Sequence, residues 1–155
     1  MNILRMAMLS VAFLLGASFA PVVSAQQPGA QKSLYDRLGG LKGITLVIDD
    51  FINRLVANKQ LNRNPAINAG RKSSPAPYLK FQVSQMVCGV TGGPCKYTGM
   101  AMKPSHAHLN ISEKEWGVMA KEFQKSLDKF KVPAPEQKEL FDIVGSSKAD
   151  IVARK

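Results

Sequence analysis

The sequence is poor in cysteine, histidine and acidic side chains, and these shortages narrow the possible classes of protein. Two cysteines among 155 residues are too few for a disulfide-stapled miniprotein. Only 11 Asp and Glu oppose 21 Lys and Arg, which leaves a net charge of +10 that favours anionic partners without identifying one. A hydrophobic content of 45% is nevertheless enough for a packed core, so the chain is not wholly disordered.

Common catalytic and nucleic-acid signatures are missing as well. No Cys-x-x-Cys redox pair, paired carboxylates or Ser-His-Asp arrangement stands out. Gly39-Gly40-x-x-Gly43 lacks the Lys-Ser/Thr of a phosphate-binding loop, so it indicates a stop between two helices. Four lysines without interleaved exposed aromatics indicate a solvated helix face rather than a nucleic-acid site: Lys121, Lys125, Lys129 and Lys131.

The first 25 residues predict a secretory signal peptide. Arg5 supplies a positive start, residues 6–20 are apolar apart from two serines, and Val23-Ser24-Ala25 forms a small-residue cleavage site. The alternative is an uncleaved membrane anchor, but 15 apolar residues fall short of the ~20 that a bilayer-spanning helix needs.

We therefore expect a signal peptide at 1–25, a flexible leader at 26–32 and a single domain at 33–155. Arg5 is the only charged residue that cleavage would remove, so the mature protein would carry a charge of +9 and no membrane span. The expected compartment lies outside the cytoplasm, in a bacterial periplasm, where the environment is oxidising.

Apolar residues of the domain recur at helical spacing, and no alternating pattern marks a strand. Ser33 is suited to cap a short helix over 34–38. A third helix opens at Tyr78 or Leu79 and stops at Gly92-Gly93-Pro94. Between these two, a broad apolar face predicts a long second helix: Ile44, Val47, Ile48, Phe51, Ile52 and Leu55.

The second half of the domain predicts two further long helices. Ser112 and Glu115 form a capping box, and Pro135 suits the first turn of the last helix. Residues 58–77 are expected to form a long loop with one turn of helix near Ala66 to Ala69. Residues 94–110 are expected to be irregular or to hold a brief helix over 102–107. The core face of the helix after the capping box is Trp116, Met119, Ala120, Phe123, Leu127 and Phe130. That of the last helix is Leu140, Phe141, Ile143, Val144 and Ile151. The predicted fold class is all-α, with four substantial helices.

The two cysteines, Cys88 and Cys95, have six residues between them and allow two interpretations. They form a disulfide if the helix end and the Gly-Gly turn bring their Cα atoms within ~7 Å. Otherwise Cys88 is a small core residue and Cys95 a thiol in a turn. The sequence leaves both open.

The two histidines, His106 and His108, are two residues apart. On a helix their side chains would point to nearly opposite sides, so they cannot share one metal ion. One histidine facing a pocket and one facing water is the simpler interpretation.

Four segments, in order, resemble the group I truncated haemoglobins over about residues 33–152. They are Ser33-Leu34-Tyr35-Asp36-Arg37-Leu38-Gly39-Gly40, then Asp50-Phe51-Ile52-Asn53-Arg54-Leu55, then Thr91-Gly92-Gly93-Pro94-Cys95-Lys96-Tyr97-Thr98-Gly99, and finally the segment from Met102 to Ser112. The Gly-Gly-Pro-x-x-Tyr-Thr-Gly stretch followed by Met-Lys-x-x-His is the specific part. The resemblance implies a two-over-two helical sandwich around a haem.

The same resemblance implies that His106 is the proximal ligand of the haem iron and that His108 lies outside the coordination sphere. The haem would be haem b, held non-covalently, because the chain has no Cys-x-x-Cys-His motif. Lys80 or Lys103 is a candidate partner for a haem propionate, and Tyr97 is expected near the same cavity. The candidate walls are Phe51, Leu79, Val83, Val87, Met102, Ile111, Trp116 and Met119.

Three departures from the family pattern concern the distal side of the haem. Ile52 stands where the family commonly has a Tyr that hydrogen-bonds iron-bound oxygen, and Asn64-Pro65 replaces a usual Phe-Phe pair. Val83 fills a position that is often Gln, which leaves Gln82 as the polar residue on the distal helix. We therefore expect weaker O₂ retention than in Tyr-bearing relatives, unless Gln82 substitutes as the donor.

The function that the resemblance implies is binding of O₂, NO or CO at haem iron, with NO dioxygenase-like or peroxidase-like activity as an open question. Such activity would need an unidentified reductant or an acidic redox partner. Two alternatives stay open: a non-catalytic haem carrier or sensor, and a cationic helical binding module without haem. A thiol switch at Cys88 and Cys95 is a further, weaker hypothesis.

Overall fold

The computed structural model describes residues 32–153, so the predicted signal peptide and all but the last residue of the leader lie outside the described residues. No strand and no helix long and apolar enough to cross a membrane occurs within this range. Its α-helices are α1 (Leu34–Arg37), α2 (Gly40–Ala57), α3 (Pro65–Ser73), α4 (Ala76–Val90), α5 (Met102–His106), α6 (Glu113–Lys129), α7 (Ala134–Ser146) and α8 (Lys148–Ile151). Two 3₁₀ turns, Leu61–Arg63 and Ala107–Leu109, precede α3 and follow α5. The all-α prediction is confirmed.

The turn between α1 and α2 depends on glycine. Ser33 caps α1 as predicted, its hydroxyl accepting from the amide of Asp36. Gly39 has a left-handed backbone (φ 82°), which an L side chain rarely adopts. Gly43 lies so close to the carbonyl of Leu38 that no Cβ fits between them. The glycines therefore serve the helix stop that the sequence predicts.

The long helix α2 forms the centre of the molecule and packs against α4 and α6. Its predicted apolar face is buried from Ile44 to Ile52. Phe51 contacts Phe123 of α6 at 5.0 Å between ring centroids, and Phe123 contacts Phe141 of α7 at 5.4 Å. Aromatic contacts therefore join three helices in one core.

The prediction of a long loop for residues 58–77 is wrong, because most of this segment is helical. Asn64 caps α3, its side chain accepting from the amides of Ala66 and Ile67, and Pro65 occupies the first helical position, which needs no amide hydrogen. At the other end of α3, Arg71 donates to the carbonyls of Leu55 (2.7 Å) and Val56 (3.3 Å) at the end of α2. Tertiary contacts of this kind outweigh the poor helical pattern of the segment.

Helix α4 begins at Ala76 rather than at Tyr78 or Leu79, because Pro77 lies in its first turn, where proline is tolerated. It ends at Val90, just before the predicted glycine stop. Cys88 and Cys95 form a disulfide across this end, with their Cα atoms 5.7 Å apart. Of the two interpretations left open by the sequence, the structure therefore supports the disulfide.

The second half of the domain follows the sequence with two corrections. The short helix near Met102 and the capping box at Ser112 are confirmed. Phe130 is not part of the core face, because it is the residue that ends α6 and its side chain is exposed. Ile151 belongs to the separate helix α8, since α7 ends at Ser146 and Ser147 lies between the two helices.

Candidate functional site

His106 is the last residue of α5 and is partly buried. Its Nδ1 lies 2.8 Å from the carbonyl oxygen of Met102 and 2.9 Å from the hydroxyl oxygen of Ser105. Because a carbonyl only accepts hydrogen bonds, this contact assigns the proton of the neutral imidazole to Nδ1. The Nε2 lone pair is then left for a metal. Metal-ligating histidines usually donate the hydrogen of their other ring nitrogen to a carbonyl or carboxylate, as Nδ1 of His106 does here.

His108 lies in the 3₁₀ turn after α5 and is exposed. Within residues 32–153, no three side chains from His, Cys, Asp and Glu come together in a group that could hold a metal ion. A metal bound at His106 would therefore need its other ligands from a cofactor, as the iron of a haem has.

The predicted apolar walls divide into two groups. Phe51 lies in the buried core, and the other members of the first group pack against that core while staying partly exposed: Leu79, Val83, Val87 and Met119. Leu79, Val83 and Val87 lie four residues apart on α4 and so share one face of that helix. Met102, Ile111 and Trp116 are partly buried outside this core cluster.

Gln82 on α4 carries a buried side-chain amide oxygen with no hydrogen-bond partner within the described part of the chain. Leaving such a group unpaired costs about 1–3 kcal/mol, and buried polar groups are normally paired. Gln82 neighbours the wall residue Val83 in sequence. The unpaired amide oxygen is an acceptor, and Gln82 is the residue of α4 within the described range that keeps a buried polar side-chain atom without a partner.

Two other predicted pocket residues offer no free donor. Ile52 is buried, with 4% of its surface exposed, and its side chain cannot donate a hydrogen bond. Tyr97 is exposed, and its hydroxyl already donates to the carbonyl of Met100 at 2.7 Å. Burial of part of this side chain and the nearby Tyr78 raise the pKa of Tyr97, whose hydroxyl is protonated at neutral pH in any case. Neither residue therefore offers a free hydrogen-bond donor in the folded chain.

The two candidate propionate partners differ in their contacts. Lys80 forms an ion pair with Asp49, with 2.6 Å between the nitrogen and the carboxylate oxygen. Lys103 is exposed, and within residues 32–153 it has no ion pair. Its position beside Met102 on α5 makes Lys103 the simpler candidate partner for a haem propionate.

A family model described as bacterial-like globin matches residues 33–153, nearly the whole of the predicted domain. The chain is a bacterial-like globin. It is 28% identical over 113 residues to the group 1 truncated hemoglobin GlbN of Mycolicibacterium paratuberculosis, a match covering 72% of this chain and 78% of that protein. Membership of the group I truncated globins, expected from the sequence motifs, is confirmed.

Solved structures support the fold of this globin. The Fe(III) form of truncated hemoglobin from Tetrahymena pyriformis matches with a TM-score of 0.68 and 16% identity, covering 79% of this chain and all 100% of that one. The 2/2 hemoglobin from Synechococcus sp. PCC 7002, solved in the cyanomet state and with covalently attached heme, matches with a TM-score of 0.69 and 21% identity. That match also covers 79% of this chain and 100% of the other. The predicted two-over-two helical sandwich is therefore confirmed.

Sequence reasoning missed one residue beside this site. From the sequence, Asn64 is only a departure from a Phe-Phe pair, yet its side-chain amide donates to the carbonyl of Leu109 at the end of the 3₁₀ turn that follows α5. A detectable signal was present, since Asn followed by Pro is a common start of a helix.

Proposed function

We propose that this globin binds haem b non-covalently, with His106 as the proximal ligand, and binds a diatomic gas at the iron. The observation that carries the proposal is the bond from His106 Nδ1 to the carbonyl of Met102, which leaves Nε2 as the free ligand atom. Haem supplies the iron at which the gas binds. The protein supplies an oriented imidazole, apolar walls and control of the distal side.

The surrounding residues fit such a group. A haem is a large apolar disc, and the partly exposed side chains of Leu79, Val83, Val87 and Met119 offer apolar surface beside the core. Both cysteines are joined in the disulfide, so neither is free to form a thioether with a vinyl group. This supports non-covalent attachment.

We also propose that the protein works outside the cytoplasm, in the periplasm. Residues 1–25 have the pattern of a secretory signal, and the disulfide is of the kind that persists in oxidising compartments. Gas chemistry there, such as NO or peroxide conversion, would need a reductant or an acidic redox partner, to which the net charge of +9 expected for the mature protein is suited.

The distal side of the proposed site has an aliphatic side chain where many relatives have a phenol. Ile52 offers no hydrogen bond to a bound gas, while the unpaired amide of Gln82 can rotate to present its NH₂ group. We therefore propose that O₂ is held through Gln82 alone, and less firmly than by a Tyr donor.

The deciding experiment is an absorption spectrum of the mature protein expressed with haem, beside His106→Ala and the control His108→Ala. We expect a strong Soret band in the wild type and in His108→Ala, because His108 is exposed and outside the proposed coordination sphere. The band should be lost or shifted in His106→Ala. The ferrous spectrum with CO then shows whether the distal position is open.

The alternatives predict other results. A haem carrier would pass its haem rapidly to apomyoglobin, whereas a gas-binding globin should retain it. A folded, helical wild type that takes up no haem would contradict the proposal and favour the cationic binding module.

A further inference from the structure

We propose that Asn64 is a positioning residue for His106: it ties helix α3 to the turn that follows the proximal histidine. The proposal rests on the proposed function, since it concerns how the haem ligand is held. Asn64 itself contacts neither the imidazole nor, in this proposal, the haem.

The side chain of Asn64 uses both ends of its amide. Its Oδ1 accepts from the amides of Ala66 (2.9 Å) and Ile67 (3.4 Å) at the start of α3. Its Nδ2 donates to the carbonyl oxygen of Leu109 at 3.0 Å. Leu109 ends the 3₁₀ turn that begins directly after His106. One partly buried side chain therefore connects two segments that are 45 residues apart in sequence.

The carbonyl of Leu109 needs such a partner. The next residue, Asn110, has a left-handed backbone (φ 49°), so no helix continues to satisfy the end of the turn. The amide of Asn64 supplies the missing donor from outside the segment.

Close packing supports the same connection. A Cβ added at Gly70, in the middle of α3, would lie 2.8 Å from Cδ2 of Leu109, so the helix backbone approaches this side chain as closely as glycine allows. The hydrogen bond from Asn64 and the close approach at Gly70 thus join α3 to the 3₁₀ turn that follows His106.

The proximal segment depends on outside support because it is short. Helix α5 has five residues, far fewer than an isolated helix needs to be stable. It packs on α8, while the following turn packs on α3. Loosening the turn should therefore let the imidazole of His106 lose its orientation, and such supporting contacts typically change metal affinity by roughly 10–100-fold.

Three variants test the proposal. Asn64→Ala removes both functions of the amide. Asn64→Ser keeps a side chain that caps α3 well but is too short to reach the carbonyl of Leu109. It therefore removes the bond to the turn and keeps the helix cap. Asn68→Ala is the control, since Asn68 lies on α3 and donates to the carbonyl of Asn62 rather than to the turn.

Three measurements are compared: haem transfer to apomyoglobin, the Fe–His stretching band of the ferrous protein, and amide hydrogen exchange of residues 103–110 in the haem-free protein. We expect both Asn64 variants to release haem roughly tenfold faster, with a shifted Fe–His band and faster exchange in 103–110. Asn68→Ala should match the wild type.

A wild-type Fe–His band and wild-type exchange in Asn64→Ser would overturn the proposal, because Asn64 would then act only as a helix cap. If Asn64→Ala does not fold, Asn64→Ser decides. If the wild type takes up no haem, the proposed function fails, and hydrogen exchange in Asn64→Ser still shows whether Asn64 holds the turn.

Discussion

At the scale of single residues, the orientation of polar groups decides what this globin can do. His106 donates through Nδ1 to a backbone carbonyl, and that bond leaves Nε2 free to be the ligand atom of the proposed haem site. Gln82 keeps a buried amide oxygen unpaired, while Ile52 replaces a possible donor with an aliphatic side chain. The sequence predicts all three as site residues, but the hydrogen bond of His106 and the unpaired amide oxygen of Gln82 are visible only in the folded chain.

The first prediction at this scale concerns Gln82→Leu. Because the unpaired amide is a cost in the haem-free protein and a donor toward bound gas, we expect unfolding stability to stay the same or rise. The O₂ dissociation rate of the ferrous protein should rise about tenfold, which corresponds to one hydrogen bond of about 1.4 kcal/mol.

Urea unfolding of the haem-free protein and stopped-flow release of O₂ measure the two effects. Gln85→Leu, one turn further along α4, is the control and should leave the O₂ rate unchanged. An unchanged O₂ rate in Gln82→Leu would show that Gln82 does not face the bound gas.

At the scale of elements, strong local patterns were predicted correctly, and helices that depend on distant contacts were not. Helices α2 and α6 carry wide apolar faces, and α6 begins with a capping box. Helix α3 has no buried residue, and its ends are held by Asn64 and Arg71. A pattern of apolar residues cannot reveal a helix that is stabilised by hydrogen bonds to backbone carbonyls elsewhere.

The prediction at this scale concerns the disulfide at the end of α4. Cys88 is fully buried, and its bridge to Cys95 closes a short loop ahead of the segment that carries Tyr97. Replacing both cysteines with serine should lower the free energy of unfolding by about 2–3 kcal/mol, because the unfolded chain gains freedom.

Urea unfolding with and without a reductant checks this. The reductant should destabilise the wild type and leave the double variant unchanged. A double variant as stable as the wild type would contradict a disulfide in the folded protein.

At the scale of the whole molecule, a partly buried set of charges joins α2 to α6. Asp50 accepts from Lys129 (2.5 Å), Arg54 (2.6 Å) and Ser126 (2.8 Å). Burial alone would raise the pKa of Asp50, but these bonds outweigh it and lower the pKa to about 2 from 3.8. The folded state therefore favours the ionised carboxylate.

The resulting prediction is a dependence of stability on acid. Since the pKa of Asp50 is lower in the folded chain, its stabilising effect is present above about pH 4 and is lost as the pH falls toward 2. Asp50→Asn should lower the free energy of unfolding by about 1 kcal/mol at pH 7, because Lys129 is 54% exposed and solvent screens its share of the effect. It should also flatten the decline of stability between those pH values.

Urea unfolding of the haem-free protein across this pH range is the measurement. Asp142→Asn is a matched control, because Asp142 pairs with Lys138 at an exposed surface site where such pairs contribute little. Equal acid dependence in wild type and Asp50→Asn would contradict the argument.

The amino-acid order alone was sufficient for the all-α class, the globin family, the short helix that carries His106 and the approximate limits of most helices. These depend on local signals, namely apolar spacing, caps, glycine stops and a motif of fixed spacing. The joining of Cys88 to Cys95, the full length of the helix at Pro65–Ser73, the unpaired amide of Gln82 and the contact of Asn64 with Leu109 emerged only in three dimensions. Each depends on groups that folding brings together or buries, and no local pattern in the sequence encodes their distance or burial.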